Sequence, residues 1–255
     1  MALAATKLHL PVAHVEAGLR SRDRLMPEET NRILTDLISD LLLTPSPDAD
    51  LNLRQEGITP SRIVRVGNVM IDSLVTALKK KNFGKFSNEK FLLMTFHRPS
   101  NVDSKEGLKR LIFFLKDASQ LLPVHLPLHP RTRVKLDQFR LWNSISKIPY
   151  LRIQEPLGYF EFVHKMRAAA AVVTDSGGIQ EETSFLGIPC LIMRTTTERP
   201  ICIERGTAEL MGEDYERAVR RLKTILKGNW KKPRPIPLWD GHTTERIVSV
   251  LVQRF

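Results

Sequence analysis

Apolar residues along this chain occur in two patterns. Short unbroken runs read as strands buried on both faces, and longer stretches with apolar positions three and four apart read as helices with one buried stripe. Leu3, Lys7 and Leu8 sit at helical spacing near the start, and residues 11–15 resemble a strand. Pro27 then opens a helix, with Glu28 and Glu29 in its first turn and Ile33, Leu34, Leu37, Ile38 and Leu41 on one face. A break at 44–48, a short helix at 49–56, a strand at 62–66 and a helix at 69–81 follow. Residues 79–89 (KKKNFGKFSNE) are polar and aperiodic, as a linker would be.

Beyond it the alternation resumes. Strands are expected at 91–96, 124–128, 150–153, 170–173 and 189–193. Helices are expected after Ser104, which has the chemistry of a cap, and at 134–142, 160–168, 179–186, 215–226 and 244–251. Repeated β–α alternation predicts α/β architecture with parallel, doubly wound sheets. The division expected is a first domain over 1–78, the linker at 79–89, a second domain over 90–238, and a terminal helix at 239–255 that packs back on the first domain.

Composition adds limits. Of 255 residues 42% are hydrophobic, which suits a globular chain. No apolar run reaches the roughly 18 residues of a membrane span, so no membrane association is expected. The net charge of +11 favours anionic ligands, but the basic clusters lack the interleaved aromatics that stack nucleobases, so nucleic acid is not an expected partner. Cys190 and Cys202 show neither metal-ligand nor disulfide spacing, which points to a reducing cytoplasm and no metal site.

Candidate chemistry gathers at strand ends. The run AAVVTDSGGIQEE at 170–182 is strand, polar turn, then helix, with Ser176, Gly177 and Gly178 where backbone amides and a helix N-terminus face an anion. The alternative is a turn that needs glycine only for its backbone angles. The basic, hydroxyl-rich loop RTTTERP at 194–200 follows the next strand. Glu16 lies just past the first strand, where nothing helical needs an acid, and His97 and Arg98 end another strand.

Together, HVEAGLRS (14–21), PEETNR (27–32), GNVMID (67–72), TFHRPSNVD (95–103), EPLGYFEFVHKM (155–166), TDSGGIQEE (174–182), RTTTERP (194–200) and WDGHTTERI (239–247) resemble the non-hydrolysing UDP-N-acetylglucosamine 2-epimerases over nearly the whole chain. The resemblance implies two Rossmann-like domains facing across a cleft, as in GT-B enzymes. It also implies interconversion of UDP-N-acetylglucosamine and UDP-N-acetylmannosamine through elimination of UDP to a 2-acetamidoglucal, with no cofactor and no metal. Carried over by motif, Glu16, Glu28 and His97 are the catalytic groups. UDP falls to Arg98, Phe162, Ser176, Gly177, Gly178, Glu182 and Arg199, with Phe162 against uracil and Glu182 at the ribose hydroxyls. Phe162 reads equally well as a core residue of its helix. Members of the family are usually homodimers.

Met1 stands about one strand before His14, whereas the family begins with a glycine-rich strand and turn and a further aspartate. An incomplete first domain is therefore expected, with UDP binding retained and little turnover by this polypeptide alone. A GT-B glycosyltransferase and an inactive UDP-sugar-binding remnant are the alternatives.

Overall fold

The computed structural model describes residues 1–79 and 89–254. In chain order the elements are α1 (Ala2–Lys7), β1 (Ala13–Val15), α2 (Pro27–Ile38), β2 (Leu41–Thr44), α3 (Pro47–Gln55), β3 (Ile63–Arg65) and α4 (Val69–Lys79). They continue with β4 (Leu92–Thr95), α5 (Pro99–Val102), α6 (Lys105–Ser119), β5 (Val124–Pro127), α7 (Pro130–Gln138), α8 (Trp142–Ser146), β6 (Leu151–Gln154) and α9 (Tyr159–Ala168). The last are β7 (Ala171–Thr174), α10 (Gly177–Leu186), β8 (Cys190–Ile192), α11 (Pro200–Glu204), β9 (Ala208–Leu210), α12 (Tyr215–Leu226) and α13 (Thr243–Arg254).

The chain forms two compact units. The first comprises Met1–Thr76, Thr196–Arg205 and Arg234–Phe255, and the second Ala77–Thr195 and Gly206–Pro233. Residues 196–205 and 234–238, placed by the sequence pattern in the second domain, group with the first. Arg234 N–H donates to Arg205 O at 2.7 Å, and Arg205 Nη1 donates to Pro235 O at 3.0 Å, so these segments hold each other. Apart from its two ends, the linker expected at 79–89 lies outside the described residues.

In the first unit β1, β2 and β3 form a parallel sheet in that order. One face carries Ala17, Leu42, Leu53 and Ile58; the other carries Leu41, Leu43 and Val66 against Ile247, Val250 and Leu251 of α13. The sequence pattern ran α2 on through Leu41 and missed β2. Leu41, Leu42 and Leu43 are all buried, because the strand is covered on both faces, and such a run carries no alternation to separate it from a helix.

The second unit is a six-stranded parallel sheet in the order β6-β5-β4-β7-β8-β9. Its chain reverses direction across the sheet between β4 and β7, a topological switch point of the doubly wound kind. Its core sets Leu92, Met94, Val173 and Leu191 against Leu108, Leu111 and Leu115 of α6 and Ala218 and Leu222 of α12. Each fully buried Leu, Met or Val side chain among them contributes about 1.5–3 kcal/mol over leaving it in water. Ser104 caps α6, accepting from Gly107 N–H at 3.0 Å. The helix expected at 134–142 is two helices, α7 and α8, parted by Arg140 in a left-handed conformation (φ +56°). β9 was not anticipated: it is short, and only Ala208 in it is fully buried.

Candidate active site

Glu16 sits one residue beyond β1 with φ +64°, a backbone state that non-glycine residues seldom adopt and that the surroundings must impose. The neighbours supply it. His14 Nδ1 lies 2.6 Å from Asp36 Oδ1, Arg20 Nη1 2.7 Å from Asp36 Oδ2, and Gly18 N–H donates to the same oxygen at 3.1 Å. Ala17 N–H donates to Leu43 O at 3.2 Å, and Asn52 Nδ2 to Gly18 O at 2.9 Å. Gly18 has φ +81°, and a Cβ there would stand 2.4 Å from Ala49 O, so this position admits only glycine. Buried Gly18 and Arg20 and part-buried His14 thus work as a frame around one acid.

The Glu16 carboxylate is not absorbed into that frame. Its Oε1 is enclosed yet makes no hydrogen bond, and Arg199 Nη2 approaches it at 3.8 Å. Arg199 in turn donates from Nη1 to Glu198 Oε1 at 2.6 Å. Arg199, expected beside the phosphates, therefore lies in the first unit next to Glu16.

Glu28 is exposed in the first turn of α2, and its side chain makes no hydrogen bond or ion pair among the described residues. Its neighbour Glu29 is buried. It accepts from Ser21 N–H at 2.9 Å and Oγ at 3.0 Å, from Arg22 N–H at 2.9 Å, and pairs with Arg32 Nη1 at 3.1 Å. In PEE the second acid holds the preceding loop, and the first is left available.

In the second unit the switch point brings the ends of β4 and β7 together. Asp175, fully buried after β7, accepts from Arg98 N–H at 2.9 Å and Asn101 Nδ2 at 3.0 Å, and lies 3.0 Å from His97 Nδ1. Burial opposes its charge, but these hydrogen bonds and His97 hold the carboxyl below the usual carboxylate range. Arg98 Nε is enclosed without an acceptor. From sequence Asp175 reads as a turn residue; the available signal is an acid at a strand end, one residue short of a glycine pair.

Ser176 is the N-cap of α10, but its side chain does not cap. Its own N–H is taken by Thr174 Oγ1 at 3.0 Å, which leaves the first-turn amides of Gly177 and Gly178 as the donors. Both glycines are helical residues, so unusual backbone angles do not explain them; what these positions lack is a side chain in front of the helix N-terminus. Glu182, further along α10, is buried, and burial raises its pKa while Tyr159 hydrogen-bonds to it. Tyr159, at the start of α9, was not singled out from sequence. Phe162 is half-buried on α9, whereas Val163 and Met166 carry the contact with the core.

A second histidine completes this corner. His129, the N-cap of α7, stacks on His97 with ring centroids 5.0 Å apart and planes at 29°. Burial, with His97 adding to it, pushes the His129 pKa down. Among the described residues no group of three or more His, Cys, Asp or Glu is placed to hold a metal ion, and no helix is long and apolar enough to cross a membrane.

Residues 1–252 match the family model described as UDP-N-acetylglucosamine 2-epimerase. The chain belongs to this family. It is 40% identical to the UDP-N-acetylglucosamine 2-epimerase of Methanocaldococcus jannaschii over 98% of the chain and 71% of that relative. It is also 40% identical over 88% of the chain and 63% of the relative to a UDP-2,3-diacetamido-2,3-dideoxy-D-glucuronate 2-epimerase of Pseudomonas aeruginosa. The crystal structure of the M. jannaschii epimerase with UDP-GlcNAc and UDP superposes with a TM-score of 0.88, covering 99% of the chain and 72% of that structure. The epimerase of Neisseria meningitidis bound to UDP-GlcNAc gives 0.88 at 29% identity, with 99% and 72% coverage. A wall teichoic acid polymerase, TagF, shares the fold alone, at 14% identity and a TM-score of 0.51. The epimerase family fold here is GT-B-like α/β, built from Rossmann-like parallel units.

Proposed function

We propose that the chain is a UDP-N-acetylglucosamine 2-epimerase, an isomerase that interconverts UDP-N-acetylglucosamine and UDP-N-acetylmannosamine. The observation that carries the reading is the family match over 1–252, and the framed Glu16, whose Oε1 the frame leaves without a hydrogen bond, supports it. Removing the weakly acidic C2 proton needs a carboxylate held in place, and returning a proton to the opposite face needs a second acid. Glu16 and Glu28 take these two roles. As the C2–H proton leaves, the C1–O bond breaks with its electron pair departing on UDP, giving 2-acetamidoglucal; re-addition of UDP to C1 with protonation at C2 completes the inversion.

Charge developing on the diphosphate is met by the amides of Gly177 and Gly178, Ser176, Arg98 and His97. Phe162 packs on uracil and Glu182 accepts from the ribose hydroxyls. Arg199 belongs to the UDP set read from sequence; its position favours an added role in holding the Glu16 carboxylate. The enzyme acts as a cytoplasmic homodimer in this reading.

The test is proton NMR of the full chain with UDP-N-acetylglucosamine in heavy water. Slow deuterium entry at C2 and slow appearance of UDP-N-acetylmannosamine are expected over a long incubation, and Glu16→Gln lowers the exchange by about 100-fold or more while leaving UDP affinity in calorimetry unchanged. Absence of both exchange and product would overturn the reading. Offering the 2,3-diacetamido uronate sugar nucleotide in parallel fixes which sugar the chain prefers.

A further inference from the structure

We propose that Asp175 is a positioning residue that sets the ring state of His97, keeping the proton on Nδ1 and committing Nε2 to the ligand. The inference rests on the reading of His97 as a ligand-facing group. Its ground is the geometry at the ends of β4 and β7. Asp175 Oδ2 accepts from Arg98 N–H at 2.9 Å, Asn101 Nδ2 at 3.0 Å and His97 N–H at 3.0 Å. Oδ1 is left with the His97 N–H at 3.1 Å and the ring Nδ1 at 3.0 Å. An ionised carboxylate only accepts, so the ring nitrogen facing Oδ1 must carry the hydrogen. Asp175 is ionised because four donors compensate its burial.

His129 fixes the other side of the ring. Its Nδ1 accepts from Arg131 N–H at 3.1 Å, so its own proton sits on Nε2. The two imidazoles are stacked in opposite tautomers. A neutral His129 braces the ring of His97 without placing a positive charge against it.

The arrangement requires a carboxylate and not its amide. In Asp175→Asn a single oxygen remains, and Arg98 N–H with Asn101 Nδ2 claims it. The amide NH2 then faces Nδ1, which becomes the acceptor, and the proton moves to Nε2. With Asp175 present, Nε2 is an acceptor in the neutral ring; in the doubly protonated ring it is a donor to an anionic oxygen, its charge balanced by Asp175.

Long-range 15N–1H NMR of the full chain with labelled histidine, above the imidazole titration range, reads the tautomer directly. His97 is assigned by the resonance that His97→Gln removes. The Nδ1–H signature is expected in the wild type and the Nε2–H signature in Asp175→Asn. An Nε2–H wild-type ring, or a signature unchanged by Asp175→Asn, overturns the proposal. If Asp175→Asn fails to fold by circular dichroism, the wild-type spectrum decides. In turnover, Asp175→Asn lowers kcat at least tenfold in the wild-type background and less than twofold beside His97→Gln; equal losses in both backgrounds refute action through His97. The NMR readout needs no turnover, so an inactive wild type would refute the epimerase reading while leaving the tautomer question answered.

Discussion

Asp36, on α2, receives His14 Nδ1 at 2.6 Å while its other oxygen receives Arg20 and the Gly18 amide, so one buried carboxylate closes the loop that presents Glu16. Arg20 is also held by Glu56, whose Oε2 accepts from Nη2 at 2.6 Å. Asp36→Ala leaves a buried guanidinium half-compensated and an amide without an acceptor. The expected cost is about 3–5 kcal/mol, the range for removing one partner of a buried pair. A urea titration measures it, and a loss below about 1 kcal/mol would show that the frame does not depend on Asp36.

Gly18→Ala meets two penalties together: a left-handed φ of +81° and a Cβ 2.4 Å from Ala49 O, which is backbone and cannot rotate away. The expected destabilisation is about 2 kcal/mol or more. Gly57→Ala has a similar φ of +83° but open space around its Cβ, so it should cost only the backbone term, about 1 kcal/mol. Thermal melts of the pair separate conformation from collision, and equal losses would contradict the role given to Ala49.

His125 gives the fold a pH dependence of known sign. Burial, then the charges of Lys165 and Arg152, push its pKa down to about 4 from the ordinary 6.5, and its ring stacks on Phe91 at 4.1 Å. The unfolded chain takes up this proton as pH falls below about 6.5, whereas the folded chain does so only near 4. Stability present above 6.5 is therefore lost as pH falls from about 6.5 to about 4, by on the order of 1–3 kcal/mol. His125→Phe keeps the stack and should flatten the urea midpoint across that window. An unchanged slope would place the titration elsewhere.

Asp72 caps α13 from another element. It accepts from Thr243 N–H at 3.0 Å, Thr244 N–H at 2.6 Å and Thr244 Oγ1 at 2.8 Å. Asp72→Ala should cost about 1–2 kcal/mol, as losses of helix N-caps do. It should also speed amide exchange in the first turn of α13, and protection there equal to wild type would refute the cap.

Much of this molecule is set by local pattern. The β–α alternation, the α6 start at Ser104, the Pro27 opening of α2 and the placement of Glu16, His97 and the glycine pair just past strands all follow from neighbours in sequence, because periodicity, caps and turns act over a few residues. Tertiary structure decided the rest. β2 emerges only because both its faces are covered, and Arg199 reaches Glu16 although the sequence grouped it with the phosphate loop. Asp175 meets the His97 backbone across 78 residues, and Asp36 meets Gly18 across 18. Such partners cannot be read from spacing, since the requirement that a buried polar group find its complement is met by whichever residue the fold brings there.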